Sequence, residues 1–358
     1  TERKADRAVA APASGGGLPS FASDVSLGGY VDASYVYNFN SPNSRANGLR
    51  TFDTDANGFQ LHAFKLELEK PVSEDSRVGF RTDLFLGEDA EVIGSAGLGS
   101  TTDEIDVEQA YVEALLDVGK GLNVKFGKFV TMAGAEVIES PANWNFSRSI
   151  LFGFAIPFTH TGVRFNYPWT DKFNTTFGVN NGWDIVDDNN DNKTWEAALG
   201  YEPNDKSFVT LAYYYGPERA NESHDDRQVI DLVAGYDVND KLSLLMNYDW
   251  GHENNAGGSQ EDGTWQGVAG YARYQWNDWM ATAARLERFS DRGGLRTGNK
   301  NLTMWELTLT QEFKIYKDLI TRLEYRHDDA DQNIFEDSNG ANTEDKQDTI
   351  SVEVIYPF

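Results

Sequence analysis

The chain has 358 residues, with 33 Gly, 10 Pro, no Cys and 13% aromatic side chains, and 57 acidic against 31 basic residues give a formal charge of -26. The lack of cysteine excludes a disulfide framework, thiolate metal sites and covalently attached haem, and the acidic balance excludes a nucleic-acid binder, which needs basic stripes to neutralise phosphates. A mean hydropathy of -0.54 and the absence of any run of about 18 apolar residues exclude a transmembrane helix, so a chain that crosses a bilayer does so as strands.

Residues 1–24 are rich in Ala, Gly, Ser and Pro, carry Arg3, Lys4 and Arg7, and show no periodicity. They read as a flexible tail on the periplasmic side, either without a role or as a tether or plug. No charged-then-apolar stretch opens the chain, so a secretory signal is expected to have been removed.

From Val25 onward apolar and polar residues alternate, the period of a strand with one face in an apolar medium. Leu27, Val31, Ala33, Tyr35 and Tyr37 fall on one face, and Ser26, Tyr30, Asp32, Ser34 and Asn38 on the other. Phe64, Leu66 and Leu68 then alternate with Lys65, Glu67 and Glu69, and Val78, Phe80, Leu84 and Leu86 share a segment with Arg77, Arg81 and Asp83. The same reading continues through 110–116, 122–126, 161–167, 173–181, 193–201, 207–215, 227–238 and 241–250. It resumes at 264–276, 279–288, 301–313 and 318–327 and ends at 348–358, where Ile350, Val352, Val354, Tyr356 and Phe358 share a face. About sixteen strands are expected.

The connections alternate in kind. Tight turns rich in Asn, Asp and Pro, such as 202–206, 238–241 and 276–278, follow every second strand. The intervening connections, 39–57, 87–104, 131–159, 184–192, 216–226, 251–263, 289–300 and 328–347, are longer and polar or Gly-rich. Short turns on one side and long loops on the other, with an even strand number, predict an all-β fold. It is a transmembrane, antiparallel, up-and-down barrel with periplasmic turns and extracellular loops. Tyr167, Trp169, Tyr201, Tyr236, Tyr274, Trp276, Phe313 and Tyr356 stand near the turns, as an interfacial girdle requires.

Five of the loops, 87–104, 184–193, 216–227, 251–263 and 328–347, carry 23 acidic against 4 basic residues. Such loops enrich cations at the mouth, bridge to anionic lipid headgroups or simply stay solvated. The lumenal positions Arg81, Arg164, Arg273, Arg285, Arg322 and Glu113 form a wall of mixed charge. Water is expected to solvate it, since a sixteen-strand cylinder is wide enough for an aqueous channel.

The connection 131–159 differs from the rest, with a polar half containing Glu136, Glu139, Asn143, Asn145 and Arg148 and an apolar half from Ile150 to Phe158. Such a loop can fold inward, pack its apolar half on the wall and present those five residues as a pore constriction. The other reading is an outer loop whose apolar half extends the sixth strand.

The Gly-x-Glu, Pro-x-Asn, Ser-x-Ser and Pro-x-x-His-x-Gly spacings between Gly134 and Gly162, with the strand-turn rhythm and terminal Phe358, resemble the OmpL-like β-barrel porins of Gram-negative outer membranes. More distantly they resemble the phosphate-selective porins, although the basic ladder of such a pore is not evident. The resemblance covers about residues 25–358. It implies an outer-membrane channel for passive diffusion of ions and small hydrophilic solutes, with Phe358 as an assembly signal.

The expected partners are outer-membrane lipid and lipopolysaccharide and small hydrophilic solutes or ions, and a homotrimer is one assembly open to the chain. No cofactor or metal site is expected. The segment at Asp187 to Asp191 lacks the Gly and acid of a calcium loop. His62, His160, His224, His252 and His327 show no nucleophile and acid at recognisable spacing, so no catalysis is expected. The alternative function is a barrel sheath or scaffold for a partner protein.

Overall fold

A computed structural model describes residues 24–99, 103–256, 261–316 and 318–358. The tail expected at 1–24 lies outside these residues except for Asp24.

Strict alternation over long segments produces long strands: β1 (Ser26–Asn38), β2 (Gly58–Lys70), β3 (Val78–Leu86), β4 (Ile105–Leu116), β5 (Leu122–Val130) and β6 (Thr159–Pro168). They continue with β7 (Phe173–Asn180), β8 (Thr194–Asn204), β9 (Ser207–Pro217), β10 (Asp226–Asp237), β11 (Leu242–Glu253) and β12 (Gly263–Asn277). The set ends with β13 (Met280–Asp291), β14 (Leu302–Ile315), β15 (Leu319–Ala330), a small hairpin of β16 (Phe335–Glu336) and β17 (Asn342–Glu344), and β18 (Lys346–Pro357). Sixteen of them, all but the hairpin, pair antiparallel with their neighbours, and β1 against β18 closes the barrel. Closure leaves no unpaired sheet edge, which a bilayer would not tolerate. Phe358 completes the seam: its N–H donates to Gly29 O at 2.9 Å and its ring stacks on Phe64.

The two faces separate as the alternation dictates. Leu27, Val31 and Tyr37 on β1 and Ile350, Val352, Val354 and Tyr356 on β18 are exposed on the outer wall, while Asp32, Ser34, Asn38, Ser351 and Glu353 are buried inside. Trp169 and Trp276 stand exposed by the short turns, and their indole N–H groups donate to Thr175 and Thr282.

Besides irregularities by the short turns of β8/β9 and β12/β13, two β-bulges break the period within the wall. At Asp32/Ala33 the pairing of β1 with β2 skips His62, so His62 and Ala63 both point inward and the outward set shifts from Phe59 and Leu61 to Phe64, Leu66 and Leu68. This phase change hid the first half of β2, which begins at Gly58 rather than near Phe64. A second bulge at Asp83/Leu84 skips Glu108 and turns Glu108 and Gln109 inward together.

The long connections do more than cap the barrel. The loop 87–104 contains a short helix, α1 (Glu88–Ile93), and 131–158 contains a 3-10 turn (Ser140–Ala142) and a π-helical turn (Leu151–Ala155). Phe52, Ile93, Phe152, Trp183 and Phe335, each from a different long connection, join Trp265 of β12 and Phe289 of β13 in one apolar cluster inside the cylinder. Phe52 lies 6.0 Å from Phe152 and 5.8 Å from Phe158, ring to ring. Burying each such side chain contributes about 1.5–3 kcal/mol. The sequence pattern made these loops look polar; their few large apolar residues are the ones that fold in.

Candidate lumenal site

The segment 131–158 leaves β5, crosses to the opposite wall and follows that wall to the seam before returning to β6. Its root hangs on three side chains: Met132 N–H donates to Tyr214 Oη at 3.0 Å, Gly134 N–H to Asp231 Oδ2 at 3.0 Å and Ala135 N–H to Asn247 Oδ1 at 3.0 Å. Gly134 has φ +95°, and a Cβ there would lie 2.8 Å from Ile156 Cδ1, so the turn takes glycine on two counts.

An irregular loop leaves backbone donors and acceptors that must find partners once water is excluded. Here the wall supplies them. Arg285 donates to Ser147 O at 2.6 Å, Arg322 to Ser140 O at 3.1 Å and Asn143 O at 2.7 Å, and Arg326 to Arg148 O at 2.7 Å. Glu324 accepts from Phe146 N–H and Ser147 N–H, and Glu287 from Ile150 N–H and Leu151 N–H, at 2.6–2.9 Å. The apolar half packs behind them, with Trp265 Nε1–H donating to Ala155 O at 3.0 Å.

Four of the five polar candidates are absorbed by this framework. Glu136 binds Arg285 Nη1 at 2.6 Å and accepts from Ser149 N–H at 2.7 Å. The Asn143 amide closes on both the N–H and C=O of Val137, and Asn145 donates to Thr310 Oγ1 at 2.7 Å. Arg148 turns back on its own loop, donating to the carbonyls of Phe146, Val137 and Ile138. Glu139 differs: its side chain stays 22% exposed while bonding Lys65 Nζ at 2.6 Å.

The wall candidates divide in the same way. Arg285 and Arg322 are buried and ion-paired, to Glu136 and Glu306 and to Glu312 and Glu353 respectively. Arg164 pairs with Glu196 through two nitrogens. Arg81, Arg273 and Glu113 retain partial exposure; Arg81 pairs with Asp83 and Glu67, Arg273 with Glu312, and Glu113 accepts from Asn123. The solvation that the sequence reading assigned to water is supplied, at Arg285 and Arg322, by carboxylates and loop carbonyls.

Residues 24–358 match the family described as "Putative beta-barrel porin-2, OmpL-like". The chain belongs to this porin family. It is a passive diffusion channel of the Gram-negative outer membrane. No curated protein matches it by sequence. Among solved structures, the porin is similar in fold to an anion-selective porin from Comamonas acidovorans, with TM-score 0.65 and 12% identity over 93% of this chain and 99% of that one. OprB from Pseudomonas putida gives 0.64 and 13% over 94% of each. OmpT of Vibrio cholerae in its trimer form gives 0.62 and 12% over 93% and 99%.

Three groups in the porin's lumen escaped the sequence reading. Lys65 Nζ sits 3.0, 2.7 and 2.6 Å from carboxylates of Asp83, Glu108 and Glu139, and those carboxylates lie within 4.8 Å of one another. The place a metal ion would take is filled by the ammonium. Asp231 and Asn247, in adjacent strands, hold the loop root as described. Ser34 Oγ lies 2.7 Å from His62 Nε2, and His62 Nδ1 lies 3.0 Å from Asp89 Oδ1.

This last chain has the connectivity of a nucleophile, base and acid, but all three are buried, with Phe146 5.3 Å from the imidazole, ring to ring. It ties α1 to β1 and β2. Gly87 makes that tie possible: it has φ +126°, and a Cβ there would come 2.5 Å from His62 O. The interrupted alternation at His62 was the only sequence signal for it.

Proposed function

We infer that the porin conducts small hydrophilic solutes and ions, with a preference for cations, and that the loop 131–158 sets its constriction. Supporting this reading is the division between open and consumed charge. Arg285, Arg322 and Arg326 are at most 1% exposed, while the side chains of Glu139, Glu67 and Glu69, although paired with Lys65 or Arg81, keep 22%, 24% and 26% exposure. A permeating ion meets these side chains beside the somewhat less exposed Arg81, at 14%, and Arg273, at 21%, and the acidic long loops add a negative field. Glu139 is the constriction candidate that acts on the ion directly; Glu136, Asn143, Asn145 and Arg148 hold the loop.

Passage of this kind makes and breaks no bond, so no enzyme activity is assigned. The apolar cluster inside the cylinder argues against a sheath around a partner protein. A homotrimer set in outer-membrane lipid and lipopolysaccharide is the assembly proposed, supported by the trimer form of the similarly folded Vibrio protein.

The test is the reversal potential of the purified barrel in a planar bilayer across a potassium chloride gradient. Cation preference is expected, reduced by Glu139→Gln and by Glu67→Gln. An anion-selective potential, or no current from a folded barrel, overturns the reading.

A further inference from the structure

Beneath the loop root, Asp231 on β10 and Asp249 on β11 stand directly opposite each other. Both are fully buried, and their carboxyl groups lie within hydrogen-bonding reach of one another. Asp231 Oδ2 accepts from Gly134 N–H at 3.0 Å and from Asn247 Nδ2 at 2.7 Å. Asp231 Oδ1 and both oxygens of Asp249 have no partner at good hydrogen-bond geometry, and the Asn247 amide is the nearest donor to Asp249.

No Lys, Arg or His among the described residues comes within ion-pair distance of either carboxyl group, unlike the arginine-paired acids Glu136, Glu306, Glu312 and Glu353. The neighbouring strands place Ala212 opposite Asp231 and Gly267 opposite Asp249. Glu287 of β13, another acid, also acts on Asp249.

Two ionised carboxylates in contact, buried and without a cation, repel too strongly to coexist. A proton between them satisfies one orphan oxygen with a donor and leaves Asp231 Oδ2 free to hold the loop. We propose that Asp231 and Asp249 share one proton, and that this carboxyl–carboxylate pair is a pH-operated latch on the root of the loop 131–158. When that proton passes to water, the second negative charge drives the two side chains apart. The Gly134 contact is then lost and the constriction loosens. The latched state is therefore favoured at low pH and lost as pH rises. This goes beyond the porin reading and rests on it only for the readout of current.

The full-length barrel and its Asp249→Asn and Asp231→Asn variants are compared by infrared spectroscopy in detergent and by single-channel recording from mildly acid to alkaline pH. The wild type is expected to show a protonated-carboxyl band at neutral pH that each variant loses. It is also expected to show a reversible alkaline rise in conductance that Asp249→Asn abolishes, since an amide keeps a donor at every pH. A band unchanged in both variants overturns the proposal, as does an alkaline rise that persists in Asp249→Asn. Absence of the band in the wild type together with a response to a chelator also overturns it, in favour of a bound cation. If no current flows at all, the porin reading fails, and the infrared comparison still decides the shared proton.

Discussion

Arg285 Nη1 lies 2.6 Å from both Glu136 Oε1 and Ser147 O, so a single guanidinium on β13 clamps two separate points of the lumenal loop. Its Nε also pairs with Glu306 at 2.8 Å. Replacing it strands two buried carboxylates. Arg285→Met is expected to destabilise the loop by about 3–5 kcal/mol, the cost of leaving a buried charge uncompensated. Limited proteolysis and noise in the single-channel current report this directly. A loop as protected as in the wild type would show that the clamp is dispensable.

Lys65 neutralises a cluster that would otherwise attract a metal. Lys65→Met leaves Asp83, Glu108 and Glu139 with their oxygens within 4.8 Å of one another and no ammonium between them. Carboxylate oxygens so placed suit calcium. Added calcium is expected to block the variant at concentrations about tenfold below any that affect the wild type, a difference of about 1.4 kcal/mol in binding. Equal sensitivity of the two would refute it.

Arg148 and Glu139 are both loop residues but should fail differently. Arg148→Ala removes donors to three carbonyls of the same loop, so unstable conductance with little change in ion preference is expected. Glu139→Gln keeps the loop shape and removes an accessible charge, so the reversal potential moves while the current stays steady. Recording both variants under one salt gradient separates the roles.

Glu218, outside the membrane-spanning strands, joins two extracellular loops by accepting from Trp183 N–H at 2.7 Å and from Thr194 Oγ1 at 2.6 Å. Burial pushes its carboxyl up to about 7 despite opposing attraction from Arg227. An acid raised in the folded state binds more protons there than when unfolded, so its contribution to stability is present at low pH and falls as pH rises through about 7. Hydrogen exchange at the Trp183 amide, divided by its intrinsic pH-dependent rate, should therefore lose protection as pH rises towards about 7 in the wild type. Glu218→Gln should flatten that dependence.

Much of the barrel was legible because one face of every strand meets lipid and the other does not. The alternation of Ile350, Val352, Val354 and Tyr356 with Thr349, Ser351 and Glu353 states this directly, and the count of such segments gives sixteen strands. The exceptions are physical. At His62 and Glu108 a bulge puts two successive residues on one face, and a reading that depends on period two loses phase there. Glu136 and Arg148 stand out in sequence as charges in an unusual loop, yet their partners Arg285 and Val137 are fixed by how that loop lies on the wall.

The sequence by itself determined strand identity, the segregation of short turns from long loops, and the outward face, because these depend on local periodicity and a single bilayer. Tertiary structure alone decided which charges reach the channel. Arg285, Arg322 and Glu139 all read as charged lumenal candidates in sequence, but the first two are consumed in holding loop backbone and the third stays partly open. That outcome depends on contacts between residues 74 to 182 positions apart, and no local pattern encodes them.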